Sequence, residues 1–478
     1  MSHSKQKVKS GLIWSALDSF INQAISLVIM LILASLLGPS EYGLVAMLAI
    51  FIAIAAVFVN SGFSSALIRK EDRDEKDYAT TFYFSLVVSI TCYCILFFLA
   101  PVIADFYQQQ ELISLTRVIA LTVVINAFAI IPRTKLTVEI NFKSQAKANL
   151  TSLFCGGVIG ITLAFHGFGV WSLVVKQIVS TCISVIMLNF LSPWKPTESF
   201  CKSAFKKLFG FGSKLLVSSL LDTIYNNLYG LVIGKQFSAA QLGIYNQANT
   251  LSSLPATTIT SVIQKVTYPM LSAMQRDGSK LDDAYLKTLK IGMMVVFPVM
   301  FGLSIIAEPL INLLLGDTWK ASAPLISILS MAFALYPIHA INLNMLQVKG
   351  RSDLFLKLEI IKKVIVTAAL ITTVPFGVME MCVGIVITSY ISLFINTYYT
   401  AQLSSISQIM QFRALAPIGL LTAVAAVFSY YLCSGISTDW LAIICMLITA
   451  LLSYVILIVT FQKTLVNEVR SLMSREKE

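Results

Sequence analysis

Long apolar runs recur along this chain and limit its possible folds more than any other feature. Only 12% of the 478 residues are charged and mean hydropathy is +0.80, so a water-soluble fold would lack polar cover for its surface. Because a bilayer admits only segments that satisfy their own backbone hydrogen bonds, the runs predict an all-α integral membrane protein. A helix crosses the bilayer with about 20 residues, which predicts fourteen transmembrane helices at 12–37, 42–63, 79–104, 113–132, 149–166, 169–191, 208–234, 241–263, 289–315, 322–346, 358–375, 377–400, 414–434 and 438–461.

Basic residues alternate between the connections that join these runs. Of the 35 lysines and arginines, 30 lie in or beside every second connection, counted from the N-terminus, whereas the remaining connections hold only Lys235 and Lys320. Short basic loops stay on the cytoplasmic side of a membrane. The alternation therefore predicts cytoplasmic N- and C-termini.

The first and seventh runs resemble each other at an offset of 204 residues. After a gap, Tyr42-Gly43 corresponds to Leu242-Gly243. Repeats separated by six helices have the same orientation in the membrane, which predicts two six-helix lobes at 1–191 and 208–400, a basic linker at 192–207, helices thirteen and fourteen at 401–461 and a cytoplasmic tail at 462–478. The matched pairs are Leu12/Leu216, Ser15/Ser219, Leu17/Leu221, Asp18/Asp222 and Asn22/Asn226.

Besides the basic residues already counted beside the basic connections, three basic residues fall inside the predicted spans. A charge at the bilayer centre costs about 2.5–3.5 kcal/mol on insertion scales, so it needs a partner or a wet cavity. Lys176, Arg117 and Lys214 are therefore candidates for a cationic cavity that binds phosphate. Arg117 and Lys214 lie nearer helix ends and could instead extend to the membrane interface.

Polar residues also recur on one face of the first and seventh spans. We expect them to line a cavity or to take part in coupling or gating, and the alternative is structural hydrogen bonding between helices. His339 lies within the tenth span, where a proton-relay role is a further hypothesis. The polar candidates are Asp18, Asn22, Asp222, Asn226, Tyr229 and His339.

Several function classes are excluded by what the sequence lacks. Its eight cysteines show no zinc-ligand spacing, and no nucleotide-binding or hydrolase motif occurs. The net charge of +11 is explained by the basic loops, so we expect no nucleic-acid partner. The sequence predicts a protein that is not an enzyme and binds no metal.

Several short motifs occur in a fixed order along the chain. An early one is Gly38-Pro39-Ser40-Glu41-Tyr42-Gly43, and those in the middle are Tyr268-Pro269-Met270-Leu271-Ser272, Gln275-Arg276-Asp277, Phe297-Pro298 and Leu315-Gly316-Asp317-Thr318-Trp319. With these motifs the chain resembles the polysaccharide transporter family, which includes the Wzx-type flippases and belongs to the multidrug/oligosaccharidyl-lipid/polysaccharide exporter (MOP) superfamily. The resemblance covers about residues 8–465.

The resemblance implies a bacterial inner-membrane transporter with a MATE-like arrangement of two lobes around a central cavity. Its implied substrate is an undecaprenyl-diphosphate-linked oligosaccharide, moved between leaflets by alternating access for capsule, exopolysaccharide or O-antigen synthesis. Membrane lipid, a polysaccharide polymerase and assembly proteins are the implied partners. No cofactor is expected, and a proton or sodium gradient or removal of product would supply the energy.

Three other functions stay open from the sequence. The first is a drug/cation antiporter of the same superfamily, which would need an acidic and aromatic cavity. The second is a non-transporting scaffold for polysaccharide assembly, which would not need charges inside the membrane. The third is a peptidoglycan-precursor flippase.

Overall fold

The computed structural model describes residues 20–60 and 62–463, and its regular elements there are all helical. Two short 3₁₀ turns, Asp317–Trp319 and Val374–Phe376, join longer helices. The α-helices are α1 (Phe20–Leu36), α2 (Pro39–Asn60), α3 (Phe63–Arg69), α4 (Glu75–Tyr107), α5 (Leu112–Ile119), α6 (Leu121–Ala127), α7 (Ile130–Val138), α8 (Phe142–Phe165), α9 (Val170–Leu191), α10 (Lys202–Asn226), α11 (Leu228–Gln236), α12 (Ala239–Ala273), α13 (Gly278–Leu314), α14 (Ser322–Ala334), α15 (Tyr336–Val348), α16 (Ser352–Thr373), α17 (Val378–Leu403), α18 (Gln408–Cys433) and α19 (Asp439–Phe461).

Many of these helices are long and apolar enough to cross a membrane, which confirms the prediction of an all-α multi-pass membrane protein. Among the described residues nine segments meet that standard, and a tenth is the bent series α5–α7, in which Leu112–Ala127 and Ile130–Val138 meet at 43°. The predicted span at 113–132 is thus a broken helix. The predicted total of fourteen is not confirmed by length and composition alone.

Contacts divide the chain after Gly243 into two compact units. The first unit contains α1 to α11 and the first turn of α12. The second contains the rest of α12 and α13 to α19.

In the first unit, glycines let α8 and α9 approach closely. A Cβ built on Gly160 would lie 2.8 Å from Cβ of Lys176, and one on Gly156 would lie 1.8 Å from Oγ of Ser180. Small residues at such contacts are typical of helix packing in membranes, where van der Waals contact replaces the hydrophobic effect. The glycine-rich 149–166 span is therefore a packing surface.

A second pair of glycines lies where the first turns of α2 and α12 cross in the first unit. A Cβ on Gly43 would lie 1.7 Å from the carbonyl oxygen of Ala239, and one on Gly243 would lie 1.9 Å from that of Pro39. Gly43 thus faces the carbonyl of Ala239, four residues before Gly243, and Gly243 faces the carbonyl of Pro39, four residues before Gly43. This reciprocal contact joins the two glycines that the sequence repeat aligns.

At the start of α4, Asp74 and Asp77 form a capping box. The Asp77 N–H donates to Asp74 Oδ1 and the Asp74 N–H donates to Asp77 Oδ2, both at 3.0 Å, which satisfies two backbone donors at the helix end. The hydrogen bond from the Asp77 backbone lowers the pKa of Asp74. Asp77 is buried and pairs with Lys70.

In the second unit, an apolar stripe on α13 forms the main core. Its members recur every three or four residues, the spacing that places side chains on one helix face. Tyr285 interrupts the stripe with a buried hydroxyl that lies 2.8 Å from Asn342 Oδ1 and 2.9 Å from Gln411 Oε1, so the core retains one polar connection. The buried stripe is Leu281, Tyr285, Leu289, Met293, Val296, Phe297 and Met300.

Candidate functional site

The described polar residues predicted on the first and seventh spans lie on α1, α10 and α11. Asp18 lies outside the described residues, and Asn22 is half-buried on α1. Asp222 and Asn226 are exposed near the end of α10, whereas Tyr229 is buried on α11. The helix breaks at Asn227, so the predicted stripe is divided between two helices.

Lys176 lies on α9 as a half-buried side chain whose stem packs against Gly160 of α8. Its aliphatic carbons fill the space that the glycine leaves. The side chain therefore contributes packing as well as charge, in the manner of amphipathic side chains generally.

The other two predicted cationic residues occupy different surroundings. The Arg117 guanidinium lies 4.4 Å from the centre of the Phe97 ring, and its Nε donates to the Phe97 carbonyl oxygen at 3.5 Å. This is cation–π geometry. Lys214 is exposed on α10. None of the three cavities described below is lined by Arg117, Lys176 or Lys214.

A polar cavity of about 430 Å³ lies in the first unit between α2, α3 and the last two helices of the bent series, α6 and α7. Arg133 of α7 lines it, together with Asn60, Asn126, Thr122 and Thr134. None of the described lining residues is acidic. No carboxylate in the described ranges forms an ion pair with Arg133.

Sequence reasoning missed Arg133 because it counted this residue among the basic loops and their flanks. The structure places it in a helix, beyond the bend after α6, where the chain continues for two more turns. A signal was present in the polar series Thr122, Asn126, Arg133 and Thr137, whose spacings of 4, 7 and 4 place the residues on one helix face.

A second polar cavity, of about 490 Å³, lies in the second unit between α12, α15, α16 and α17. Amides from two helices line it, since Gln264 Nε2 donates to Asn344 Oδ1 at 3.3 Å. Glu359 and Lys362 of α16 face the same cavity and form an ion pair at 2.5 Å. Lys362 was also counted among the basic flanks from the sequence.

His339 lines this second cavity as well, and both of its ring nitrogens have protein partners. Asn396 Nδ2 lies 3.0 Å from Nδ1, and Ser389 Oγ lies 3.1 Å from Nε2. The Ser389 hydroxyl in turn donates to the Ala332 carbonyl oxygen at 3.2 Å. This chain of donors is satisfied by a neutral imidazole that carries its proton on Nε2.

A third cavity, of about 380 Å³, is apolar and lies between α12, α13, α18 and α19 in the second unit. Pro298, Gly302 and Leu451 are among its lining residues, and it contains no charged side chain. The described residues also contain no group of three or more His, Cys, Asp or Glu side chains that could hold a metal ion. This apolar lining is therefore not matched to a charged ligand.

Comparison with known proteins gives a family and a fold. The model of a family described as polysaccharide biosynthesis protein matches residues 32–324, more than half of the chain. The teichuronic acid biosynthesis protein TuaB of Bacillus subtilis is 24% identical over 352 residues, which are 73% of this chain and 73% of TuaB. The lipopolysaccharide biosynthesis protein WzxC of Escherichia coli is 22% identical over 400 residues, 82% of this chain and 80% of WzxC.

Solved structures of two transporters share the fold. The lipid II flippase MurJ, in an inward closed conformation, matches 95% of this chain and 100% of its own with a TM-score of 0.77 and 15% identity. An inward-facing multidrug resistance MATE family transporter of the MOP superfamily matches 80% of this chain and 94% of its own with a TM-score of 0.64 and 18% identity. At these identities the likeness concerns the fold alone.

Proposed function

Because this chain belongs to the polysaccharide biosynthesis family of Wzx-type flippases in the MOP superfamily, we propose that it flips a lipid-linked oligosaccharide across the bacterial cytoplasmic membrane. The family consists of transporters rather than catalytic enzymes. The proposed substrate is an oligosaccharide carried on undecaprenyl diphosphate. The names of TuaB, a teichuronic acid biosynthesis protein, and WzxC, a lipopolysaccharide biosynthesis protein, support a substrate that contains a saccharide.

One observation carries the proposal, namely Arg133 in the polar cavity of the first unit. A guanidinium keeps its charge at all physiological pH values and presents paired N–H donors that match phosphate oxygens. No acidic residue among the described lining residues neutralises it. The second amide N–H of Asn60, the amide of Asn126 and the Thr134 hydroxyl would supply further donors to the diphosphate.

The topology we propose keeps the fourteen spans expected from the sequence. Beyond the nine segments and the bent series, α1, α10 with α11, α12 and α16 would also cross the membrane. These four fall short in described length or in hydropathy, and polar residues such as Asp222 and Lys362 account for part of the low hydropathy. In this topology the alternation of basic connections predicts cytoplasmic N- and C-termini.

Energy for transport would come from an ion gradient or from removal of product by a polymerase, and the transporter would work by alternating access. Asp222 and His339 stay candidates for coupling or gating, as does Asp18 outside the described residues. Lys176, Arg117 and Lys214 stay predicted substrate contacts. Arg133 joins them as the residue whose surroundings best suit a phosphate.

A vesicle assay tests the proposal. Full-length protein in liposomes receives a short-chain prenyl diphosphate that carries a disaccharide and a fluorescent nitrobenzoxadiazole label, and dithionite then bleaches label in the outer leaflet. We expect wild type to expose inner-leaflet label, and Arg133→Gln to slow this exposure about tenfold or more, since a charge-assisted hydrogen bond contributes about 1.5–3 kcal/mol.

The matched control is Arg351→Gln, which removes an exposed arginine that already has a carboxylate partner in Asp353. It should flip the labelled lipid at the wild-type rate. The proposal fails if wild-type vesicles bleach no more label than empty vesicles. An unchanged rate for Arg133→Gln would remove Arg133 from the mechanism.

A further inference from the structure

The cavity of the second unit contains an amide whose hydrogen bonding is incomplete. Asn344 is only 8% exposed and lines the cavity. Its Oδ1 accepts from Gln264, but its Nδ2 has no hydrogen-bond partner among the described residues. A buried donor without an acceptor is unfavourable, so this position is suited to a ligand oxygen.

The charges that line this cavity cancel one another. Glu359 and Lys362 are paired, and the partners of His339 suit a neutral imidazole. Unlike the cavity that contains Arg133, this one has no unpaired cation among its described lining residues. A phosphate would therefore find no uncompensated positive charge, whereas a neutral polar ligand would find both donors and acceptors.

An aromatic ring completes the lining. Tyr336, at the first residue of α15, is 39% exposed and borders the cavity. Aromatic faces pack against flat apolar surfaces while amides and carboxylates satisfy the polar groups around them. The C–H face of a pyranose ring and its ring of hydroxyls present this combination of surfaces.

We propose that the cavity of the second unit is a saccharide-binding site in which Asn344, Gln264 and the Glu359–Lys362 pair bind hydroxyls and Tyr336 packs against a sugar ring. This inference rests on the proposed function, because it names where the uncharged part of that substrate would bind. It also holds for a free neutral saccharide, since the site needs neither diphosphate nor lipid.

Saturation-transfer-difference NMR tests the site directly. Full-length protein in a sugar-free amphipol is titrated with cellobiose, lactose and chitobiose at millimolar concentrations. We expect transfer to at least one disaccharide for wild type, and dissociation constants about tenfold higher for Asn344→Leu, because one lost neutral hydrogen bond costs up to about a factor of ten. Tyr336→Leu should weaken binding while leaving the buried amides in place.

Two controls keep the result interpretable. Gln241→Leu makes the same amide-to-leucine change at an exposed position of the first unit and should bind the disaccharide as wild type does. Binding of geranyl diphosphate, which has no sugar, should weaken in Arg133→Gln and persist in Asn344→Leu, which shows that the latter variant is folded.

The inference is overturned if wild type gives no transfer to any of the three disaccharides, or if Asn344→Leu and Tyr336→Leu both bind as wild type does. Either result with intact geranyl diphosphate binding leaves the proposed flippase function standing. Conversely, saccharide binding without flipping of the labelled lipid would contradict the proposed function but support the saccharide-binding site.

Discussion

The crossing of α2 and α12 gives the sharpest test of the packing, because it leaves no room for one methyl group. In Gly43→Ala the new Cβ would lie 1.7 Å from the Ala239 carbonyl oxygen. An ordinary C···O contact is about 3.3 Å or longer, so the two helix turns would have to separate by about 1.6 Å. Gly243→Ala meets the Pro39 carbonyl oxygen at 1.9 Å and should act in the same way.

The size of the effect follows from two opposing terms. Forcing an extra methyl group into a packed contact costs about 1–3 kcal/mol, whereas alanine in a helix interior is favoured over glycine by about 1 kcal/mol. Because backbone opposes the new Cβ, a rotamer change cannot relieve the clash. The cost should therefore lie in the upper part of its range, about 2–3 kcal/mol, and less the gain of about 1 kcal/mol we expect a net loss of about 1–2 kcal/mol in the free energy of unfolding.

Thermal unfolding in detergent measures this loss. For a unit of this size about 1 kcal/mol corresponds to about 2–4 °C in Tm, so Tm should fall by about 2–8 °C. Gly210→Ala is the matched control: nothing lies within 4 Å of its Cβ position on α10, and its Tm should stay level or rise. Equal Tm changes in Gly43→Ala and Gly210→Ala would refute the reasoning. So would full additivity in the Gly43→Ala/Gly243→Ala double variant, since the first separation should relieve the second clash.

Two further predictions concern buried charge and packing in the first unit. Asp77→Asn should lower the free energy of unfolding by about 1–3 kcal/mol because it leaves Lys70 without its buried carboxylate partner. The control Asp353→Asn changes a carboxylate in an exposed ion pair and should leave Tm unchanged. Equal falls in Tm for the two variants would contradict the argument from burial. Lys176→Ala should lower Tm because it removes the stem that packs on Gly160, whereas Lys176→Met should keep it. If Lys176→Met is as unstable as Lys176→Ala, the packing interpretation is wrong; if it is stable yet exports no polysaccharide, the lysine charge is needed for transport.

Much of the fold could be predicted from the sequence because the hydropathy of each segment decides whether that segment crosses the membrane. About 20 apolar residues in a row define a spanning helix whatever surrounds them, and each long helix of the structure lies on a run that the sequence identifies. The bend after α6 could not be predicted this way, since the run from 113 to 132 is apolar on both sides of it.

The candidate site was harder to predict because its residues act through their neighbours. Lys176 is a charge within an apolar run, which the sequence detects, but the glycine face of α8 that receives its stem comes from another helix. Arg133 is adjacent to other basic residues in the sequence, so its charge was assigned to topology. Its lack of a carboxylate partner depends on α2 and α3, which approach it only in the folded chain.

The sequence by itself determined that this chain is a helical membrane protein of a polysaccharide transporter family, because hydropathy and short motifs are properties of consecutive residues. Only the tertiary structure decided which polar groups share a cavity. It separated an uncompensated Arg133 from a neutralised Glu359–Lys362 pair, and it joined Gly43 to Gly243 at one crossing. The physical reason is that pairing, burial and close approach depend on distances between helices, which the order of residues along the chain does not state.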